Sequence, residues 1–177
     1  MIQESLDVSS IVILGLLSII LLLFSAMASG SEVAFFSLTR SDIDELEERD
    51  DTTSRRVLNL LDNPDRLLAT ILVTNNMVNI CLVIVVTQLV DQIFIFSGVW
   101  EFIFNTIIIT FLLLLFGEIM PKVLSQANPV KMTSLLSLPL VILRWLVYPL
   151  AFILIRTSSR VSRLATKNAE ISIEELA

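Results

Sequence analysis

Ser25 and Ser29 stand four residues apart in one apolar run, and Asn75 and Asn79 stand four apart in another. Residues at i and i+4 share a helix face, so each pair presents two side-chain oxygens toward a common point. A third apolar run ends at Gly117 and Glu118, with Pro121 and Lys122 just beyond. Pro121 has no N–H, and its ring clashes with the carbonyl four residues earlier, so the Gly117 carbonyl oxygen is released beside the Glu118 side chain. Ser29-Gly30-Ser31 invites a similar loosening of the first run, which would free the Ser29 carbonyl. The collected donors are hydroxyl, amide and carbonyl oxygens with one carboxylate. Hard cations such as Mg²⁺ select such oxygens, whereas Zn²⁺ or Cu⁺ would want imidazole or thiolate. A single carboxylate leaves a divalent ion partly neutralised, which suits a site the ion can leave again. The competing reading is structural: Ser and Asn in membrane helices also serve as interhelical hydrogen-bond glue, and a Glu at a span end can snorkel to the interface.

Composition removes other chemistries. The chain contains no histidine, which excludes a zinc protease helix, a Ser–His dyad, a haem axial histidine and a histidine proton relay. No nucleophile–base pair is evident, so the chain does not read as an enzyme. The single cysteine, Cys81, lies in an apolar run and reads as a small buried hydrophobe. A formal charge of −6 gives no basic face for nucleic acid.

The elements that must position these oxygens are membrane helices. Of 177 residues, 55 % are hydrophobic and 17 % charged, against about 25 % charged in a soluble domain. Four apolar stretches, Ile11–Ala28, Leu67–Val90, Trp100–Phe116 and about Leu135–Ile155, each approach the roughly 20 residues needed to cross ~30 Å of hydrocarbon. Met1–Ser10 carries Glu4 and Asp7 but no basic residue, so the first stretch reads as a retained span, not a signal peptide. Arg40, Arg49, Arg55, Arg56 and Arg66 all lie between the first and second stretches, and the next basic residue is Lys122. The positive-inside rule then sets the N-terminus outside, residues 40–66 inside, and the Asp91–Gly98 connection outside.

The fourth stretch has basic residues on both flanks and contains Pro139, Arg144 and Pro149. An arginine at the bilayer centre costs at least ~2.5 kcal/mol, and the prolines interrupt the helical ladder. The expected fold is therefore all-α and integral to the membrane. It has three spans, at about 11–30, 67–90 and 100–120, a cytoplasmic helical loop at 40–66, and an interfacial helix–break–helix at 132–155. Residues 1–155 form the membrane domain, and 156–177 a cytoplasmic linker toward a further domain. The alternative is an ordinary fourth span with the C-terminus outside. Within the loop, Ser41-Asp-Ile-Asp44 has the form of a capping box. Ile43, Leu46, Val57, Leu58, Leu60 and Leu61 could line a membrane-facing side. Seven carboxylates in Asp42–Asp51 read as a solvated helix face or, more sharply, as a weak divalent-cation sensor.

Three ordered motifs carry a resemblance: Phe24-Ser-Ala-Met-Ala-Ser-Gly-Ser-Glu-Val-Ala-Phe-Phe-Ser37, Ala69-Thr-Ile-Leu-Val-Thr-Asn-Asn-Met-Val-Asn-Ile80 and Phe116-Gly-Glu-Ile-Met-Pro-Lys-Val-Leu124. With them the chain resembles the transmembrane domain of the cyclin M (CNNM)/CorC family of magnesium transport proteins, over nearly its whole length. The resemblance implies a multi-pass protein of the cell (inner) membrane, a homodimer with three spans per subunit, and Mg²⁺ export coupled to Na⁺ in the bacterial case. It also implies paired cystathionine-β-synthase (CBS) domains that bind nucleotide, which do not lie within these residues. Carried over by motif, the Mg²⁺ ligands are Ser29, Asn75, Asn79, the Gly117 carbonyl and Glu118, with Ser25 a further participant. Some family members are assigned to motility or called haemolysin-like, so a non-transporting membrane scaffold is the alternative function.

Overall fold

The computed structural model describes residues 8–93 and 99–148, and the described residues are all-helical. Helix α1 spans Val8–Phe36, α2 Arg40–Arg49, α3 Thr52–Leu61, α4 Pro64–Ile93, and α5 Val99–Leu112. A π-helical turn, Leu113–Ile119, joins α5 to α6, Met120–Ala127. Helix α7 occupies Pro129–Tyr148. Four helical segments are long and apolar enough to cross a bilayer: Val8–Phe36, Pro64–Ile93, Thr106–Ala127 and Pro129–Tyr148. At 1.5 Å per residue the 29 residues of α1 extend about 43 Å, well beyond a ~30 Å hydrocarbon core. Their outward faces are apolar: Ile13, Ile20, Ile80, Ile84, Ile107 and Phe111 are all exposed, as lipid-facing residues should be.

Helices α2 and α3 form a short hairpin at one end. Its buried leucine and valine side chains, Leu46, Val57 and Leu60, pack with Phe35 of α1, Leu67 and Ile71 of α4, and Leu140 of α7. They therefore fill a core between helices, where a membrane-facing side was expected. The capping box sits two residues earlier than the sequence form suggested. Thr39 is the N-cap, with Thr39 N–H donating to Asp42 Oδ2 at 2.8 Å and Asp42 N–H donating to Thr39 Oγ1 at 3.3 Å. Asp is long enough here because the Thr39 hydroxyl and amide converge on one carboxylate oxygen, Oγ1 donating at 2.7 Å. Much of the acidic run is absorbed by such local contacts. Asp51 caps α3 through Ser54 N–H at 2.6 Å, Asp50 pairs with Arg55 at 2.7 Å, and Glu45 pairs with Arg49. Asp50 closes α2 in the left-handed region, at φ 44°.

Three further expectations change. Helix α1 runs unbroken through Ser29-Gly30-Ser31, so no loosening occurs there. Gly30 serves close approach instead: a Cβ at this position would lie 2.9 Å from Ser125 Oγ and 3.5 Å from the Pro121 carbonyl oxygen of α6. Cys81 is exposed on the apolar surface of α4, not buried; the Asn75/Asn79 face claims the interior and leaves Cys81, two residues on, at the lipid side. Helix α7 continues through Pro139 without a break. An interior proline costs ~3 kcal/mol, offset here by the fixed packing of Leu136, Leu140, Leu143 and Val147, all buried on one face. Asn128 and Pro129 start α7 sharply: Asn128 Oδ1 accepts from Lys131 N–H at 3.3 Å, and proline is pre-organised at the first helical position. Residues 94–98 of the Asp91–Gly98 connection, Pro149 with the rest of the 149–155 stretch, and the 156–177 linker lie outside the described residues.

Candidate cation site

The three polar motifs meet on α1, which packs against both α4 and the π-helical turn. Ser25 is fully buried, and its Oγ donates to Asn79 Oδ1 at 2.7 Å. The same oxygen lies 3.4 Å from the carbonyl oxygen of Gly117. A serine hydroxyl has one proton, and the shorter contact takes it, which leaves the Gly117 oxygen with lone pairs directed at this point. One turn along α1, Ser29 Oγ donates to Asn75 Oδ1 at 3.2 Å. The i,i+4 spacing in α1 and in α4 thus sets two Ser–Asn pairs one helical turn apart, as two stacked ledges.

Glycine at 117 is obligatory for this approach. A Cβ there would come 2.8 Å from Ser25 Oγ and 3.5 Å from Ser25 Cβ. The π-helical turn is the local device that presents the carbonyl. Its wide ladder ends where Met120 N–H bonds to Leu115 O, and the next backbone nitrogen, Pro121, has no hydrogen to give. The sequence shows the proline but not the π register, because no composition or period distinguishes one π turn inside an apolar helix.

Glu118 is placed differently from the other five. Its Oε1 lies 3.2 Å from Lys122 Nζ, which also lies 3.3 Å from Glu32 Oε2. The structure therefore brings Ser25, Asn79 and Gly117 together and pairs Ser29 with Asn75, while the Glu118 carboxylate is held by an ammonium one turn away. Glu32 was missed by the sequence reading. The signal was available, since Glu32 lies three residues after Ser29 and shares its side of α1. Asn76, between the two ledge asparagines, is exposed and donates to its own helix at Leu72 O. Nearby in sequence, the buried hydroxyls Thr74 Oγ1 and Ser125 Oγ have no hydrogen-bond partner among the described residues. Among the described residues no three Asp, Glu, Cys or His side chains cluster, so any cation held here is held chiefly by neutral oxygens.

Long apolar helices with exposed apolar faces define a multi-pass membrane protein. Residues 16–177 match the cyclin M transmembrane N-terminal domain, and the chain belongs to that family, which is associated with divalent-cation transport. A UPF0053 protein of Haemophilus influenzae is 33 % identical over 168 residues, covering 92 % of this chain and 39 % of that protein. The UPF0053 inner membrane protein YfjD of Escherichia coli is 32 % identical over 130 residues, covering 73 % of this chain and 30 % of its own length. A UPF0053 protein of Synechocystis is 27 % identical over 135 residues, 76 % of this chain and 38 % of that protein. The chain thus spans well under half the length of these curated relatives.

Proposed function

We propose that this chain is the membrane domain of an inner-membrane Mg²⁺ transporter, with the ion held by Ser25, Ser29, Asn75, Asn79, the Gly117 carbonyl and Glu118. The observation that carries the reading is the convergence of Ser25, Asn79 and Gly117 oxygens from three separate helical elements. Octahedral Mg²⁺ with arms of about 2.0–2.1 Å has ligand–ligand edges of about 2.9 Å. The oxygen separations of 2.7, 3.2 and 3.4 Å lie within about half an ångström of that edge. The two ledges are one turn of four residues, about 6 Å, apart, against about 4 Å between opposite ligands of such an octahedron. Loading one ion therefore requires the ledges to lean together and Glu118 to leave Lys122. That requirement fits a site with two arrangements, as alternating access needs.

Family resemblance supports export coupled to Na⁺ and a homodimer. Three spans, with α7 lying along the cytoplasmic face, are supported by a contact pattern. Ser137 and Leu140, near the middle of α7, touch the charged hairpin: Arg56 Nη1 donates to Ser137 Oγ at 3.4 Å, and Leu140 packs in one cluster with Leu46, Val57 and Leu60. A helix crossing the bilayer would meet that hairpin with one end, not with its middle. Basic residues on both flanks of α7 agree.

The second reading, a non-transporting membrane scaffold, is favoured by the same hydrogen bonds, since Ser25–Asn79 and Ser29–Asn75 would tie α1 to α4 as packing glue. Mg²⁺ flux in liposomes separates the two. Asn75→Ala and Glu118→Ala should each abolish flux carried by the full chain, and Mg²⁺ at ~100 times its Kd should stabilise the wild type by about 2.7 kcal/mol. Unchanged flux in both variants overturns the site, and absence of any Mg²⁺-dependent stabilisation favours the scaffold.

A further inference from the structure

Lys122 bridges two carboxylates from different helices. Its ammonium lies 3.2 Å from Glu118 Oε1 on the π-helical turn and 3.3 Å from Glu32 Oε2 on α1. All three side chains are partly buried, at 32 %, 43 % and 35 % exposure for Lys122, Glu32 and Glu118. Glu32 and Lys122 also line an open cleft of about 610 Å³ between α1, α4 and α6, together with Phe36, Leu68 and Gln126. From these contacts we infer that Lys122 is a resident counter-ion that competes with the transported cation for Glu118, and that Glu32 is the second berth that receives the ammonium when the cation arrives. This rests on the proposed Mg²⁺ site.

Glu118 is the single carboxylate among the proposed ligands, so it supplies the only full negative charge a divalent ion would meet there. In the arrangement observed, that charge is already neutralised by Lys122. A divalent ion entering beside an engaged ammonium meets repulsion; one entering after the ammonium has moved meets an unneutralised carboxylate. With Glu32 absent, the ammonium has Glu118 alone and holds it more fully. With Glu32 present, the ammonium moves only a short way and stays paired, so the exchange leaves no bare charge at any stage. Glu32 and Lys122 are positioning residues under this inference: Lys122 touches Glu118, Glu32 touches Lys122, and neither touches the ion.

The test is the apparent Mg²⁺ affinity of the full chain in detergent, read as the Mg²⁺ concentration that gives half of the maximal thermal-shift response. Lys122→Met should tighten Mg²⁺ binding, and Glu32→Gln should weaken it, each by about tenfold, a typical coupling between linked sites. Glu32→Gln/Lys122→Met should bind like Lys122→Met alone, because Glu32 acts only through the lysine. Lys122→Arg should stay within a few-fold of wild type, and together with Glu32→Gln it keeps the test decisive should Lys122→Met fail to fold. Weaker binding in Lys122→Met, tighter or unchanged binding in Glu32→Gln, or additive effects in the double variant would overturn the inference. Asn75→Ala, measured in parallel, tells the failures apart. If it abolishes the response while Lys122→Met does not tighten binding, the site stands and the counter-ion role falls. If it leaves the response unchanged, the site reading and this inference fall together.

Discussion

Replacing Gly117 with alanine puts one methyl group into the proposed site without replacing any side-chain ligand. The added Cβ would sit 2.8 Å from Ser25 Oγ, 3.5 Å from Ser25 Cβ and 3.6 Å from Leu22 Cδ1. Ordinary carbon–oxygen contact begins near about 3.4 Å, so the hydroxyl must retreat by roughly 0.6 Å or rotate away. Either movement breaks its 2.7 Å bond to Asn79 and opens the 3.4 Å approach to the Gly117 carbonyl. Overpacking of this kind costs about 1–3 kcal/mol of stability. Misorienting the ligands of a metal site typically costs 10–100-fold in affinity. Gly117→Ala should therefore lower the melting temperature modestly and raise the half-saturating Mg²⁺ concentration by about 10–100-fold. The assay is a thermal-shift titration with MgCl₂, with Gly15→Ala as control, since nothing lies within 4 Å of a Cβ at Gly15. Wild-type Mg²⁺ affinity in a folded Gly117→Ala protein would refute the reasoning.

Other perturbations follow from the same geometry. Ser125 Oγ is buried without a partner among the described residues, so Ser125→Ala should raise stability by about 1 kcal/mol, and it should relieve part of the damage of Gly30→Ala, whose methyl would meet that oxygen at 2.9 Å; strictly additive thermal shifts would contradict the contact. In the hairpin, the Thr39 and Ser54 amides hold Asp42 and Asp51 below the usual carboxylate range, and Arg55 does the same for Asp50. Their contribution is complete above the unfolded aspartate pKa of about 3.9 and is lost as pH falls through the lower folded values, so amide-exchange protection in α2 and α3 should drop below about pH 4 before that of α1 and α4. With Cys81→Ala and a cysteine at Ser159, an impermeant thiol reagent should label only permeabilised cells; labelling of intact cells would mean that α7 crosses the membrane.

The Ser25/Ser29 and Asn75/Asn79 ledges were legible because i,i+4 spacing of polar residues in apolar helices has one geometric meaning. Gly117 was singled out through Pro121 by counting four residues back, as in an α-helix, whereas the ladder here runs five residues back, from Met120 N–H to Leu115 O. Glycine at 30 misled, because its usual effect on helix stability and its use in close packing look alike in a sequence; only the position of Ser125, 95 residues away, distinguishes them. The Thr39 cap was hidden by Ser41, which has the same chemistry two residues later. Cys81 was assigned by composition alone, although its distance from Asn79 already put it on a different face. Pro139 was read as a break because local propensity argues for one, whereas the buried stripe from Leu136 to Val147 keeps α7 continuous. The Glu32–Lys122–Glu118 bridge depends on how α1 meets α6, a tertiary fact no local pattern carries.

The most direct test of the central claim is an experimental structure of the full chain at saturating Mg²⁺. The density should show an ion bonded at about 2.1 Å to oxygens of Ser25, Ser29, Asn75, Asn79, Gly117 and Glu118, with the Glu118 carboxylate turned away from Lys122. An empty crossing, with Ser25–Asn79, Ser29–Asn75 and Glu118–Lys122 paired as they are now, would contradict it.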